Sequence, residues 1–240
     1  MRRKHQFDFK QFSVKQENTA MKVGTDGVLI GAWASVDGTR KALDIGTGTG
    51  LIALMIAQRC EHCNIEAIDV SEAATTEAIY NFKASLWHDR LTAHRISLQE
   101  LANSKTPHSF DLIITNPPYF EQGGTKAQTD ERHQARHNHS LSQNELLSSV
   151  NQLLSKGGRF SLILPYNEGL SLMKKSKAYE LFINRKTAFF SKESKPQERW
   201  LLEFSRIEKQ PTENQLIHYN MNNEWSDAYK ELTKDFYLKL

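Results

Sequence analysis

A glycine-rich loop, Asp44-Ile45-Gly46-Thr47-Gly48-Thr49-Gly50, stands between the apolar run Lys41–Ile45 and the continuously apolar stretch Leu51–Arg59. A short apolar run leading through glycines into a longer apolar segment predicts a buried strand, a tight turn and a buried helix. That unit limits the chain to an α/β fold, because a strand entering a helix this way builds parallel sheets. Further units follow: a strand at Ile65–Asp69, a helix at Ser71–Leu86 with Ser71 as N-cap, a weaker strand at Leu91–Ser97 and a strand at Phe110–Thr115. A helix at Leu141–Leu154, ended by Gly157-Gly158, and a strand at Phe160–Leu164 continue the pattern.

The last third changes character. Thr187–Phe190 and Arg199–Arg206, joined by a polar loop holding Pro196, predict an antiparallel pair that finishes the sheet, and Trp225–Tyr237 a terminal helix. The expectation is a seven-stranded, mostly parallel, doubly wound sheet with an antiparallel terminal pair. Residues 1–40 precede the first core strand, show no helical pattern and are expected to form an N-terminal extension to the domain of residues 41–240. Gly123–His139 is polar and aperiodic and is expected to be a long loop beside the site.

In such sheets ligands bind at the C-terminal ends of the strands, and three features converge there. The glycine loop lets backbone approach a ligand closely. Its G-x-G-x-G spacing departs from the dinucleotide G-x-G-x-x-G, and Asp44, two residues upstream, repels pyrophosphate yet suits an ammonium and a sulfonium. Asp69 ends the next strand, where a carboxylate can accept both hydroxyls of a ribose. Asn116-Pro117-Pro118-Tyr119 ends the strand Phe110–Thr115 and offers an amide, a carbonyl held by rigid prolines and a ring. Those groups suit a flat substrate bearing an amino group, such as adenine.

The chain has 240 residues, 39% of them hydrophobic, enough for one core; no apolar run nears the ~18 residues of a membrane span. The basic start, Met1 to Gln6, is followed by no apolar segment of a secretory signal, and two cysteines fit a reducing cytosol. The expected location is therefore cytoplasmic, away from membranes, with no obligate protein partner indicated. Net charge is only +3, but residues 1–24 hold six Lys/Arg against two acids and residues 174–199 eight against three. Two basic blocks point to a polyanion.

The motif set resembles the class I S-adenosylmethionine-dependent methyltransferases: Asp44 to Gly50 as cofactor loop, Asp69 as ribose acid, and Asn116 to Tyr119 as the [D/N/S]-P-P-[Y/F/W] motif of the amino-methylating branch. Phe9-Lys10-Gln11-Phe12, the run Met21 to Trp33, Ala135-Arg136-His137 and Arg199 to Phe204 are similar to bacterial tRNA1(Val) adenine-37 N6-methyltransferases. The resemblance implies a Rossmann-like methyltransferase fold, S-adenosylmethionine as cofactor and a tRNA anticodon stem-loop as partner. It further implies that residues 1–40 cover the cofactor and RNA site of a catalytic domain at 41–240, with catalytic Asn116, Pro117 and Tyr119. Asp44, Gly46, Gly48, Gly50, Asp69, Thr25, Asp26 and Asn116 would bind cofactor, with Ser97 and Leu98 beside its adenine in place of the acid many relatives carry. Lys10, Arg132, Arg136, His137, Lys192 and Lys195 are candidates for RNA contact, with His139 on the same loop. In this reading Asn116 and the Pro117 carbonyl accept hydrogen bonds from the N6 amine while Tyr119 stacks on an unstacked base.

Other readings share parts of this pattern: ribosomal RNA or protein glutamine as substrate, a non-catalytic RNA-binding protein, or a dinucleotide oxidoreductase, which the glycine spacing disfavours. Cys60-Glu61-His62-Cys63 supplies half of a zinc site with no second ligand pair, so no metal is expected.

Overall fold

The computed structural model describes residues 5–117 and 141–239. The expected strand–turn–helix unit is present: β3 (Lys41–Ile45) runs into the glycine loop and α2 (Leu51–Arg59). Then come β4 (Asn64–Asp69), α3 (Glu72–Lys83), β5 (Leu91–Arg95), α4 (Leu98–Ser104) and β6 (Phe110–Thr115). Beyond residue 140 lie α5 (Gln143–Leu153), β7 (Leu154–Pro165), α6 (Tyr166–Ser176), β8 (Phe182–Lys192), β9 (Arg199–Ser205), β10 (Thr212–Tyr219) and α7 (Asp227–Thr233).

The main sheet has eight strands, in the order β10-β8-β9-β7-β6-β3-β4-β5. The expectation was seven strands and a terminal antiparallel pair. The β8–β9 pair is antiparallel as expected, but the reversed strand β9 lies inside the sheet between β7 and β8, and β10 adds in parallel on the far side of β8. Strand β10 escaped the sequence reading because its first four residues, Thr212 to Gln215, are polar and exposed. As an edge strand it buries little more than Leu216 and His218. Helix α4 was also missed: it starts at Ser97, expected to end a strand but serving as N-cap in a capping box with Glu100.

The largest correction concerns the first forty residues. They hold a hairpin of β1 (Gln6–Asp8) and β2 (Ser13–Lys15), and a helix, α1 (Thr25–Trp33), where no helical pattern was read. The reason is burial. Gly27 through Trp33 are all buried, so the helix has no polar face to create a period. Gly31 allows its close approach to α2, since a Cβ there would stand 2.7 Å from Met55 Sδ. Phe9, Phe12, Val14 and the α1 side chains join Leu54, Ile56 and Ile65 in one core on this face of the sheet. The other face packs α4, α5 and α6 over Leu43, Ile113, Phe160 and Leu202. Each fully buried Leu or Ile contributes roughly 1.5–3 kcal/mol of transfer free energy.

Candidate active site

The glycine loop is shaped by its backbone bonds. The amides of Gly46 and Thr47 both donate to the Ile68 carbonyl, at 2.9 and 3.0 Å, fastening the turn to the end of β4. Gly46 and Gly48 have φ of +69° and +56°, and a Cβ on either would meet nothing within 4 Å. They thus present bare backbone to open space, which is what close approach by a ligand needs. Gly50 is different. Its φ is +83°, and a Cβ would lie 2.5 Å from Phe82 Cε1, so glycine is required there by packing against α3. Gly50, like Asp44, lines neither of the two cavities described below.

Asp44 is fully buried beneath the loop. Its Oδ2 accepts from Thr47 Oγ1 at 2.7 Å, while Oδ1 has no hydrogen-bond partner. Burial pushes the carboxyl up to about 7, opposed by the Thr47 hydroxyl and reinforced by Asp69. Asp69 Oδ2 accepts from the Gly48 amide at 3.0 Å and Oδ1 from the Ser71 amide at 2.8 Å. It joins the glycine loop to the start of α3 and retains lone pairs on both oxygens.

Two cavities open at the C-terminal edge of the sheet. One, of about 430 Å³, brings together Gly46, Gly48, Asp69, Ser97, Leu98, Asn116 and Pro117. Its remaining wall includes Ile68, Val70, Ile96, Gln99 and, from α5, Glu145. A second, of about 290 Å³, gathers Thr25, Asp26, Gly46, Gly48 and Asn116. Met21, Gly46, Gly48 and Asn116 belong to both walls, so Asn116 stands where the two spaces meet. Strand register explains this: Ile45, Ile68 and Thr115 end neighbouring parallel strands, and the residues after them share one edge.

The donor set fits a cationic nucleoside. Asp69, with lone pairs left on both oxygens, and the bare backbone of Gly46 and Gly48 line the larger cavity and suit a ribose, while Asp44, which lines neither cavity, acts on a ligand only as a buried charge beneath the loop; both acids disfavour a pyrophosphate. Ser97 lines the larger cavity, but its hydroxyl donates to Glu100 Oε2 at 2.7 Å and accepts from the Glu100 amide, so the capping box engages it. The Asp26 carboxylate accepts from Arg199 Nε at 3.0 Å.

Sequence reasoning named neither the cavity-lining residues at 19–21 nor what anchors them. Thr19, Ala20 and Met21 line the larger cavity from the N-terminal segment, and the buried Glu77 of α3 holds that segment. Glu77 is raised by burial, but the Thr19 hydroxyl and the amides of Asn18, Glu17 and Thr19 outweigh this and hold it below the usual carboxylate range. On an isolated helix such a Glu reads as solvated surface, and nothing local marked it. Glu145 did carry a signal, since Ser142-Gln143-Asn144-Glu145 spells a capping box.

The basic candidates divide. Lys10 Nζ donates to the Lys234 carbonyl at 2.5 Å, tying the N-terminal segment to the C-terminal one. In the second basic block, Lys177, Arg185, Lys186 and Arg199 are ion-paired with Glu208, Glu203, Glu213 and Asp26. Four of the block's eight cations are therefore paired with acids of the same chain. Lys192 ends β8, bonded to Asn223, and Lys195 lies in the β8–β9 turn. The pairing of Arg199 with Pro165 and Phe189 puts this turn at the same sheet edge as the cavities. Pro118, Tyr119, Arg132, Arg136, His137, His139 and the Gly123–His139 loop lie outside the described residues. Among the described residues no three His, Cys, Asp or Glu gather to hold a metal, and Cys60 and Cys63 are buried and free. No helix among them is long and apolar enough to cross a membrane.

Residues 24–175 match the methyltransferase small domain family. The chain is 43% identical, over 99% of both chains, to a tRNA1(Val) (adenine(37)-N6)-methyltransferase of Histophilus somni (strain 2336). It is 42% identical, over 97% of its length and 98% of the relative, to the protein of that name from Haemophilus influenzae Rd. Among solved structures, a predicted O-methyltransferase from Agrobacterium tumefaciens superposes with a TM-score of 0.68 at 15% identity, covering 88% of this chain and 96% of that one, a likeness of fold. The chain therefore belongs to the methyltransferase small domain family and, within it, to the tRNA1(Val) (adenine(37)-N6)-methyltransferases.

Proposed function

We propose that this protein transfers a methyl group from S-adenosylmethionine to the N6 amine of adenosine 37 in the anticodon loop of tRNA1(Val), acting in the cytoplasm. The observation that carries the reading is Asn116, which stands in the wall shared by two cavities, one lined by the glycine loop and Asp69 and the other open beside it. When bound, the cofactor supplies a methyl carbon made electrophilic by its sulfonium.

The chain's own residues do the rest. Asp69 accepts ribose hydroxyls, Gly46 and Gly48 allow close approach, and the Asp44 carboxylate sets a negative field under the loop. The Asn116 amide oxygen and the Pro117 carbonyl accept the two N6 hydrogens, turning the nitrogen lone pair out of conjugation and toward the methyl donor. Proline fixes the direction of that carbonyl. No strong general base is needed, because the proton leaves readily once the nitrogen is cationic. Rate then comes from positioning and electrostatics. The role of Tyr119 is to stack on the extruded base, worth about 1–3 kcal/mol. Thr25 and Asp26 complete the cofactor side under the N-terminal segment, and Lys192 and Lys195 offer charge to RNA phosphates at the same edge.

The test is methyl transfer from labelled cofactor to tRNA1(Val) lacking the modification, with nucleoside mapping. Asn116→Ala is expected to lose at least about a hundredfold in kcat with cofactor affinity retained. Full transfer by that variant sinks the role of the amide, and absence of N6-methyladenosine at position 37 sinks the substrate.

A further inference from the structure

The N-terminal segment closes on itself beside the larger cavity. Gln16 Oε1 accepts from the Val23 amide at 2.7 Å, and Lys22 Nζ donates to the carbonyls of Gln16 and Glu17 at 2.6 and 3.2 Å. The result is a compact loop over residues 16–23 whose ends are pinned together. Inside it, three successive amides turn the same way. Those of Glu17 and Asn18 donate to Glu77 Oε1 at 2.5 and 3.0 Å, and that of Thr19 to Oε2 at 3.0 Å. The Thr19 hydroxyl adds a fourth bond to Oε2 at 2.5 Å. Consecutive amides converging on one point make a backbone nest, a concavity that selects an anion. Here the anion is a side chain of the same protein, only 3% exposed.

The geometry couples this nest to the cavity. Thr19, Ala20 and Met21, at and just past the nest, line it on one side, and Ala74, one turn before Glu77 on α3, lines it on another. One turn after Glu77, Asn81 repeats the device. Its Oδ1 accepts from the Lys15 amide, and its Nδ2 donates to the carbonyls of Lys15 and Thr49, at 2.8 Å each. The inner face of α3 thus holds the roof at residues 15–19 and the glycine loop at Thr49 against one rigid helix. Glu77 lines neither cavity.

We propose that Glu77 is a positioning residue that sets cofactor affinity by pinning the residue 16–23 loop as a roof over the cofactor cavity; this rests on the cofactor reading given above. Its carboxylate fixes the backbone of Thr19 to Met21 before the ligand arrives, so binding does not have to order that segment. Glutamine in its place keeps the volume but turns one acceptor into a donor facing amide hydrogens, and the nest comes apart. A carboxylate that only stabilised the fold would change melting temperature and leave ligand affinity alone.

The experiment is calorimetric titration of S-adenosylhomocysteine into the full chain and its Glu77→Gln variant, with KM for S-adenosylmethionine and kcat measured alongside. Affinity is expected to fall about ten- to a hundredfold, KM for the cofactor to rise in step, and kcat at saturating cofactor to stay within about threefold. Trypsin cleavage after Lys22 is expected to quicken. Wild-type binding with unchanged affinity in the variant overturns the role of Glu77 and leaves the cofactor reading intact. A wild-type chain that does not bind S-adenosylhomocysteine overturns the cofactor reading and this proposal with it. Should Glu77→Gln not fold, Gln16→Ala, which opens the base of the same loop, carries the same expectation, and unchanged affinity there overturns the proposal.

Discussion

Asp44→Asn separates what the buried carboxyl costs the fold from what it offers the ligand. Its carboxyl is raised from 3.8 to about 7, burial being the main cause. At about 1.36 kcal/mol per unit, ionising it inside the fold costs on the order of 4 kcal/mol. The folded pKa lies above the unfolded one, so between about pH 4 and 7 the folded state holds more protons. Stability therefore falls as pH rises through that window and levels off above it. Asparagine does not titrate, but its NH2 group replaces an oxygen at 0% exposure and costs about 1–3 kcal/mol if left unpaired. At pH 8 the ligand-free variant is thus expected to be more stable than wild type by about 1–3 kcal/mol, at about 2–4 °C of melting temperature per kcal/mol. Near pH 4.5 the order should reverse. Ligand affinity should move the other way, with S-adenosylmethionine losing more than S-adenosylhomocysteine because only the former carries a sulfonium. The assay is thermal melting across pH 4.5–8.5 with and without each ligand. Parallel stability curves for the two proteins would refute the buried-charge argument, and equal losses for the two ligands would refute the electrostatic role.

Further substitutions test the packing and the surface. Gly50→Ala combines a left-handed φ of +83° with a contact 2.5 Å from Phe82 and is expected to cost about 2–4 kcal/mol in urea unfolding, with affinity for S-adenosylhomocysteine within a few-fold of wild type in the folded fraction; an unchanged midpoint contradicts the packing argument. The change Lys195→Ala should lower the log–log salt slope of tRNA binding by about 0.7, at ~0.7 per phosphate contact on single strands, whereas Lys10→Ala should leave it unchanged because that ammonium sits on the Lys234 carbonyl. Fluorescence anisotropy over a salt series decides both.

Much of the catalytic edge was legible because it is local. Glycines at Gly46 and Gly48, an acid ending β4 at Asp69 and Asn116 ending β6 are each read from a strand and the residues just past it, and the parallel sheet does the assembling. Gly50 shows where that reading stops. It shares the loop and the left-handed backbone, but its glycine answers to the Phe82 ring of another helix. The basic block at 174–199 pointed to a polyanion but not to the residues that could meet it, since composition cannot tell a free lysine from one paired with Glu208 or Glu213.

The sequence by itself determined the strand–loop–helix order, the α/β class and the chemistry at the ends of β3, β4 and β6, because periodicity, glycine backbone and turn formers act within a few residues. Only the tertiary structure decided that α1 is a buried helix, that β9 runs backward inside an eight-stranded sheet and that Glu77 fills a nest of amides 58–60 residues away in the chain. Those features have no local signature. A helix buried on all sides shows no period, strand neighbours are chosen across long connections, and a buried carboxylate declares itself only through the partners that the fold brings to it.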